Sequence, residues 1–137
     1  MALLLDSGFL FASLNGAEAE HEATVLVLRS VREPIVLPVP AITEVAYLLA
    51  RDVGNEAAAD FIASLAATDL TLEAPLREDY SRTAELLRQY ADANLDFVDA
   101  LIAAMAERLK ITRLLTLDRR DFQLIRPKHC DSFELLP

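Results

Sequence analysis

Apolar residues in this chain fall into two kinds of run, and the two alternate from one end to the other. LLL at residues 3–5 stops at Asp6 and reads as a buried strand, because an unbroken apolar stretch closed by a turn former suits the centre of a parallel sheet. A helix can follow at once. Between residues 18 and 32, Ala23, Leu26, Val27 and Val31 recur near helical spacing until Pro34 blocks continuation. PIVLP then predicts a second strand at 35–38, and PAITEVAYLLARD a helix with Pro40 in its first turn, where the missing N–H costs nothing. Further along come an Ala-rich helix at 55–67, a short strand in DLTLEAP, and a helix in EDYSRTAELLRQYAD. Residues 95–109, LDFVDALIAAMAERL, predict a helix destined for the core. ITRLLTLD supplies a fourth strand ending at Asp118, DRRDFQL a short helix, and SFELLP a last strand.

Strands separated by helices imply parallel pairing, since parallel neighbours need long crossovers and these are usually helical. The expected fold is α/β: a three-layer α/β/α domain over residues 1–137 with a central parallel sheet of four to five strands. Three glycines, no low-complexity tract and no repeat leave nothing to mark a linker. Apolar runs end well short of the roughly 20 residues that span a bilayer, and MALLLDSG lacks the basic start and long apolar centre of a signal peptide. A soluble, cytoplasmic protein is expected. With one cysteine, Cys130, and two histidines, His21 and His129, there is neither an internal disulfide nor a soft-ligand cluster for zinc, so a metal here must be held by oxygen.

In sheets of this kind ligands bind beyond the carboxyl ends of the strands. Asp6 and Asp118 both stand at such ends, directly after LLL and LLTL. Each also suits a helix N-cap, so neither is decisive alone. Glu44 falls at the start of the PAITEVAYLL helix, where the helix dipole favours a negative charge whatever its role. Asp99 is harder to explain structurally. Phe97, Val98, Leu101, Ile102, Met105 and Leu109 leave it little polar face, so an ionised carboxylate there needs a partner or a metal. Asp96, three residues earlier, is either a cap or a further acid that repels Asp99 unless a cation lies between them. Taken together, four acids at helix or strand ends suit Mg²⁺, or Mn²⁺ in its place, and hence phosphoryl transfer by a metal-activated water. No Gly-x-Ser-x-Gly elbow, dinucleotide loop or P-loop lysine competes with that chemistry.

LLLDSGFLFA, ITEVAYLL, FVDALIAAMAERLKITRLLTLDRRDF and RPKHCDSFELLP, in this order, resemble the motifs of PIN-domain proteins, specifically the VapC-type toxins of bacterial toxin–antitoxin pairs. The resemblance covers nearly the whole chain. It implies a Mg²⁺-dependent ribonuclease, commonly dimeric, held inactive by an antitoxin whose tail covers the acidic cleft. By position it assigns Asp6, Glu44, Asp99 and Asp118 as catalytic acids, with Asp6, Asp99 and Asp118 on the metal. Thr116 matches a motif threonine, and Ser7 a position where a small hydroxyl residue is frequent. Asp96 departs from the usual small residue, and Asp92 and Asp121 match positions that are often acidic and are given a supporting role at most.

A net charge of −9 changes the picture in one respect, because RNA binding needs surplus cations. Between Arg113 and His129, however, five cations meet two acids, which leaves a local basic rim. Arg119 and Arg120 are the candidates to touch RNA phosphates, or else a solvated surface pair. The acidic body also suits a basic protein partner. The alternative reading is therefore a non-hydrolytic PIN-fold module that binds and regulates a partner. A phosphoacceptor of the receiver or haloacid type fits less well: the only lysines are Lys110 and Lys128, and Gly8 stands where the second haloacid Asp belongs.

Overall fold

The structure, a computed structural model, describes all 137 residues. Five short strands form one parallel sheet: β1 (Leu3–Leu5), β2 (Ile35–Pro38), β3 (Thr71–Glu73), β4 (Arg113–Leu115) and β5 (Glu134–Leu136), in the order β3-β2-β1-β4-β5. Helices α1 (Ser7–Leu14), α2 (His21–Ser30), α3 (Val39–Asp52), α4 (Asn55–Ser64), α5 (Arg77–Gln89), α6 (Phe97–Leu109) and α7 (Arg119–Leu124) connect them. Alternation along β1 assigns its residues to the two faces. Leu3 and Leu5 pack with Phe9, Leu37, Val45 and Leu49 on the α1/α3 side, while Leu4 packs with Leu86, Ile102, Leu114 and Phe122 on the α5/α6/α7 side. The expected three-layer α/β/α fold is present, with the sheet at its upper size of five strands.

α6 is buried from Asp99 through Glu107, on every face, which is why its apolar pattern lacks a clean polar stripe. None of the helices is long and apolar enough to cross a membrane.

Four boundaries differ from the sequence reading. β4 ends at Leu115, so Thr116 and Asp118 lie in the turn beyond it, where Thr116 still holds the sheet through its N–H to Leu136 O at 3.0 Å. α3 begins at Val39, so Glu44 stands in its second turn and not its first. The dipole argument for Glu44 therefore fails, because the effect fades within one turn. The helices expected at 55–67 and 78–92 both stop early and tighten into 3₁₀ turns, at Leu65–Ala67 and Ala91–Ala93.

Pairing of β1 with β2 on one side and β4 on the other puts the reversal of strand order beside β1. The crevice predicted for such sheets opens there, above the ends of β1 and β4.

Candidate functional site

Three helix N-termini converge on that crevice, each capped by an aspartate. Asp6 accepts from Ser7 N–H at 2.8 Å, Asp96 from Asp99 N–H at 3.1 Å, and Asp118 from Asp121 N–H at 3.1 Å. Capping and clustering thus come from the same residues, since the positive ends of α1, α6 and α7 all favour nearby carboxylates. Asp6, Ser7, Glu44, Asp96, Asp99 and Asp118 line a cleft of about 470 Å³ whose wall includes no Lys or Arg.

Two hydroxyls organise the acids. Thr116, fully buried, donates from Oγ1 to Asp6 Oδ2 at 2.7 Å and accepts the Asp118 N–H at 3.0 Å. Ser7 Oγ donates to Glu44 Oε1 at 2.6 Å and lies 3.4 Å from Asp6 Oδ1. Ser7 thereby links α1 to α3, and Thr116 links the end of β4 to the end of β1.

Burial pushes Asp6 up to about 6, against the opposing bonds from Thr116 and Ser7 and with help from the negative charges of Glu44 and Asp118. Asp99 is raised far more. Burial is the largest cause, followed by the Asp118 carboxylate within hydrogen-bonding reach, the charge of Asp6, and Asp121. Two carboxylates at such range cannot both ionise without a proton or a cation between them.

Asp99, Asp118 and Asp121 each offer an oxygen within 4.8 Å of the others. Asp121 is paired with Arg120 at 2.6 Å, whereas Asp99 and Asp118 have no countercharge of their own, and such converging hard oxygen donors fit a divalent cation of the Mg²⁺ or Mn²⁺ type.

The sequence-predicted residues fall into three groups. Asp6, Glu44, Asp99 and Asp118 share the cleft, with Ser7 and Thr116 bonded to them. Asp96 is on the rim, exposed, with Oδ2 engaged as the α6 cap. Arg119 and Arg120 are exposed at the start of α7: Arg119 donates to Pro137 O, and Arg120 donates to Ala93 O and to Asp121 Oδ1. Asp92 is exposed in the Ala91–Ala93 turn, away from the cleft lining.

Asp121, to which the resemblance gives a supporting role at most, lies within the acid cluster. It is 3% exposed, reaches Asp99 and Asp118, and accepts the Asp96 N–H at 3.2 Å through Oδ2. A signal was available, since it follows Asp118 by three residues and such pairs meet on a helix surface.

Comparison with known proteins bears on the fold and the family. The chain is 27% identical over 135 residues to Ribonuclease VapC26 of Mycobacterium tuberculosis (strain ATCC 25618 / H37Rv), covering 98% of this chain and all of that protein. Its fold is similar to the crystal structure of M. tuberculosis VapC20, a Sarcin-Ricin loop cleaving toxin, with TM-score 0.81 at 22% identity, over 87% of this chain and 92% of that one. A toxin-antitoxin complex from Klebsiella pneumoniae is similar with TM-score 0.68 at 18% identity, over 90% and 92% of the two chains. Residues 3–126 match the model of the PIN domain, so a parallel sheet with an acid cleft above β1 and β4 belongs here to a member of the PIN domain family.

Proposed function

We propose that this chain is a divalent-metal-dependent endoribonuclease, the toxin of a toxin–antitoxin pair, which hydrolyses RNA phosphodiester bonds in the Asp6–Glu44–Asp99–Asp118 cleft. The observation that carries the reading is a set of four carboxylates, Asp6 and Asp99 buried and Glu44 and Asp118 half-buried, with no cation in the cleft wall, at the point where a parallel sheet forms its binding crevice. The relationship to Ribonuclease VapC26 over nearly all of both chains supports RNA as the substrate.

Asp6, Asp99 and Asp118 offer oxygens to Mg²⁺, with Mn²⁺ as its substitute. Bound metal supplies positive charge for the phosphate and the leaving oxygen and acidifies a water. Thr116 O–H on Oδ2 and Ser7 N–H on Oδ1 hold the Asp6 carboxylate in one orientation. Glu44, oriented by Ser7 O–H, faces the same cleft as a group that positions the attacking water and takes its proton. The water oxygen bonds to phosphorus as the bond to the leaving oxygen breaks.

Arg119 and Arg120, exposed beside the cleft, give the RNA backbone the positive charge that the cleft lacks. An antitoxin with a basic segment complements a body of net charge −9. Action in the cytoplasm, as one domain over residues 1–137 and as a homodimer, completes the reading.

The test is cleavage of a mixed RNA pool, including transfer and ribosomal RNA, by partner-free protein with Mg²⁺ or Mn²⁺, beside EDTA and Asp99→Asn controls. Cleavage abolished in both controls is the expected result. Folded protein that binds metal and a partner yet cleaves nothing in the pool would favour the non-hydrolytic regulatory module instead.

A further inference from the structure

We infer that Asp121, clamped by Arg120, is a positioning residue that sets the distance between the metal-binding acids of α6 and α7; the inference rests on the metal-dependent reading of the cleft. Asp99 and Asp118 lie on different helices, and no strand joins their N-termini. A relay of backbone donors joins them instead. Asp99 N–H donates to Asp96 Oδ2 at 3.1 Å, Asp96 N–H donates to Asp121 Oδ2 at 3.2 Å, and Asp121 N–H donates to Asp118 Oδ1 at 3.1 Å. Every link passes through Asp121 or its neighbour in the relay, so the separation of the two acids depends on where Asp121 stands.

Arg120 decides where that is. Its Nη1 donates to Asp121 Oδ1 at 2.6 Å, while Nη2 donates to Ala93 O in the turn ahead of α6. The planar guanidinium thus staples the approach to α6 onto the first turn of α7, a task suited to the fixed fork of arginine and not to a lysine ammonium. With its side chain 62% exposed, Arg120 sits on the solvent side of Asp121, whose own side chain is 4% exposed. The carboxylate therefore has its countercharge outside and Asp99 and Asp118 inside.

Both Asp121 oxygens already accept a hydrogen bond, one from Arg120 and one from the Asp96 backbone. Unlike the acids that line the cleft, Asp121 has an arginine as countercharge and is not part of the cleft wall, as suits a group that orients ligands without being one, and such partners affect metal affinity by about 10–100-fold. Asp121 also brings a further carboxylate within 4.8 Å of two metal-binding acids, which strengthens the pull on a cation at short range.

Asp121→Asn keeps an acceptor oxygen and removes the charge; Asp121→Ala removes both. The experiment measures Mn²⁺ affinity by electron paramagnetic resonance of the free ion, with thermal unfolding in EDTA and RNA cleavage across a Mn²⁺ titration. In Asp121→Asn the expected result is a Kd for Mn²⁺ about tenfold weaker, a metal-free Tm not below that of the parent, and cleavage restored by raising Mn²⁺. Arg120→Ala is expected to weaken Mn²⁺ binding in the same direction. An unchanged Mn²⁺ Kd in Asp121→Asn, with only a lower Tm in Asp121→Ala, would show a purely structural residue and overturn the inference alone. Loss of Mn²⁺ binding as complete as in Asp99→Asn would overturn it too, by making Asp121 a direct ligand. If the parent protein binds no Mn²⁺ at all, the metal-dependent reading falls and this inference with it.

Discussion

Two groups of buried acids lie on opposite parts of α6, and they are treated in opposite ways. Near its C-terminal end, Asp79 and Glu107 each meet an arginine. Arg108 Nε lies 3.0 Å from the Asp79 carboxylate and Arg108 Nη2 3.3 Å from Glu73, while Arg82 grips Glu107 with contacts of 2.7 and 3.1 Å. Lys128 N–H adds a third donor to Glu107 at 2.9 Å. Burial raises Glu107, but Arg82 and that backbone donor outweigh it, and the net position is below the usual glutamate range. At the N-terminal end Asp6 and Asp99 are equally hidden, yet no arginine enters their cleft and both are pushed up. Burial therefore does not mark a functional carboxylate. What separates the two regions is the countercharge: the fold provides arginines 25 and 29 residues away in sequence for Glu107 and Asp79 and none for the acids of the candidate cleft, as a site left for a cation requires.

The comparison can be broken by removing one acid from each region. Asp99→Asn is expected to bring metal-dependent RNA cleavage below detection, and Glu44→Gln to lower kcat by about 10²–10⁴-fold, each measured with the RNA targets found in the pool assay. Neither change of charge should unfold the chain. Asp79→Ala should do the opposite: it leaves Arg108 without its main partner and Leu76 N–H without its cap acceptor, and should cost about 3 kcal/mol in urea unfolding with little effect on cleavage by the protein that remains folded. If Asp79→Ala removes cleavage as completely as Asp99→Asn at equal stability, the two regions are not distinct in function.

A pH series sharpens the same contrast. Asp6 has its carboxyl pKa raised from 3.8 to about 6, so the folded state holds that proton more tightly than the unfolded chain. Its contribution is full below the unfolded value and is lost as pH rises through the folded one. Metal-free protein should accordingly lose stability between about pH 4 and 6, on the order of 3 kcal/mol from Asp6 alone, with Asp99 continuing the decline at higher pH. Saturating Mg²⁺ should offset the loss, so that its increment in Tm grows with pH across this window. Glu107, with a lowered pKa, acts in the other direction and only near the acid end, where protonation removes the attraction to Arg82. A Mg²⁺ increment independent of pH would count against a cation bound by these acids.

The smallest effect is also the most discriminating in sign. In EDTA, Asp99→Asn replaces a carboxyl that the fold must hold protonated beside Asp118, Asp121 and Asp6, and should raise stability by on the order of 1 kcal/mol. With Mg²⁺ present the order should reverse. Calorimetry on both proteins with and without metal checks it.

Much of this architecture was legible in the sequence because it depends on local chemistry. The alternation of LLL, IVLP and LLTL with helical stretches specifies strand and helix from side-chain period alone, and Asp6, Asp96 and Asp118 precede helices because short acidic side chains cap them. The candidate acids Asp6, Glu44, Asp99 and Asp118 are picked out by their positions in the sequence, and the fold brings all four to one cleft. Glu44 shows the limit of that reading. Its place in the second turn of α3 removes the local explanation, and what holds it is Ser7, 37 residues away.

The sequence by itself determined that an apolar helix would carry Asp99 among residues unable to neutralise it, since period and composition are properties of one segment. Only the tertiary structure decided which acids would receive a countercharge. Arg108 reaches Asp79 and Arg82 reaches Glu107 because α5 packs against α6, while Arg120 reaches Asp121 and leaves Asp99 and Asp118 facing each other. Charge pairing acts over a few ångströms in space, and spacing along the chain does not report it.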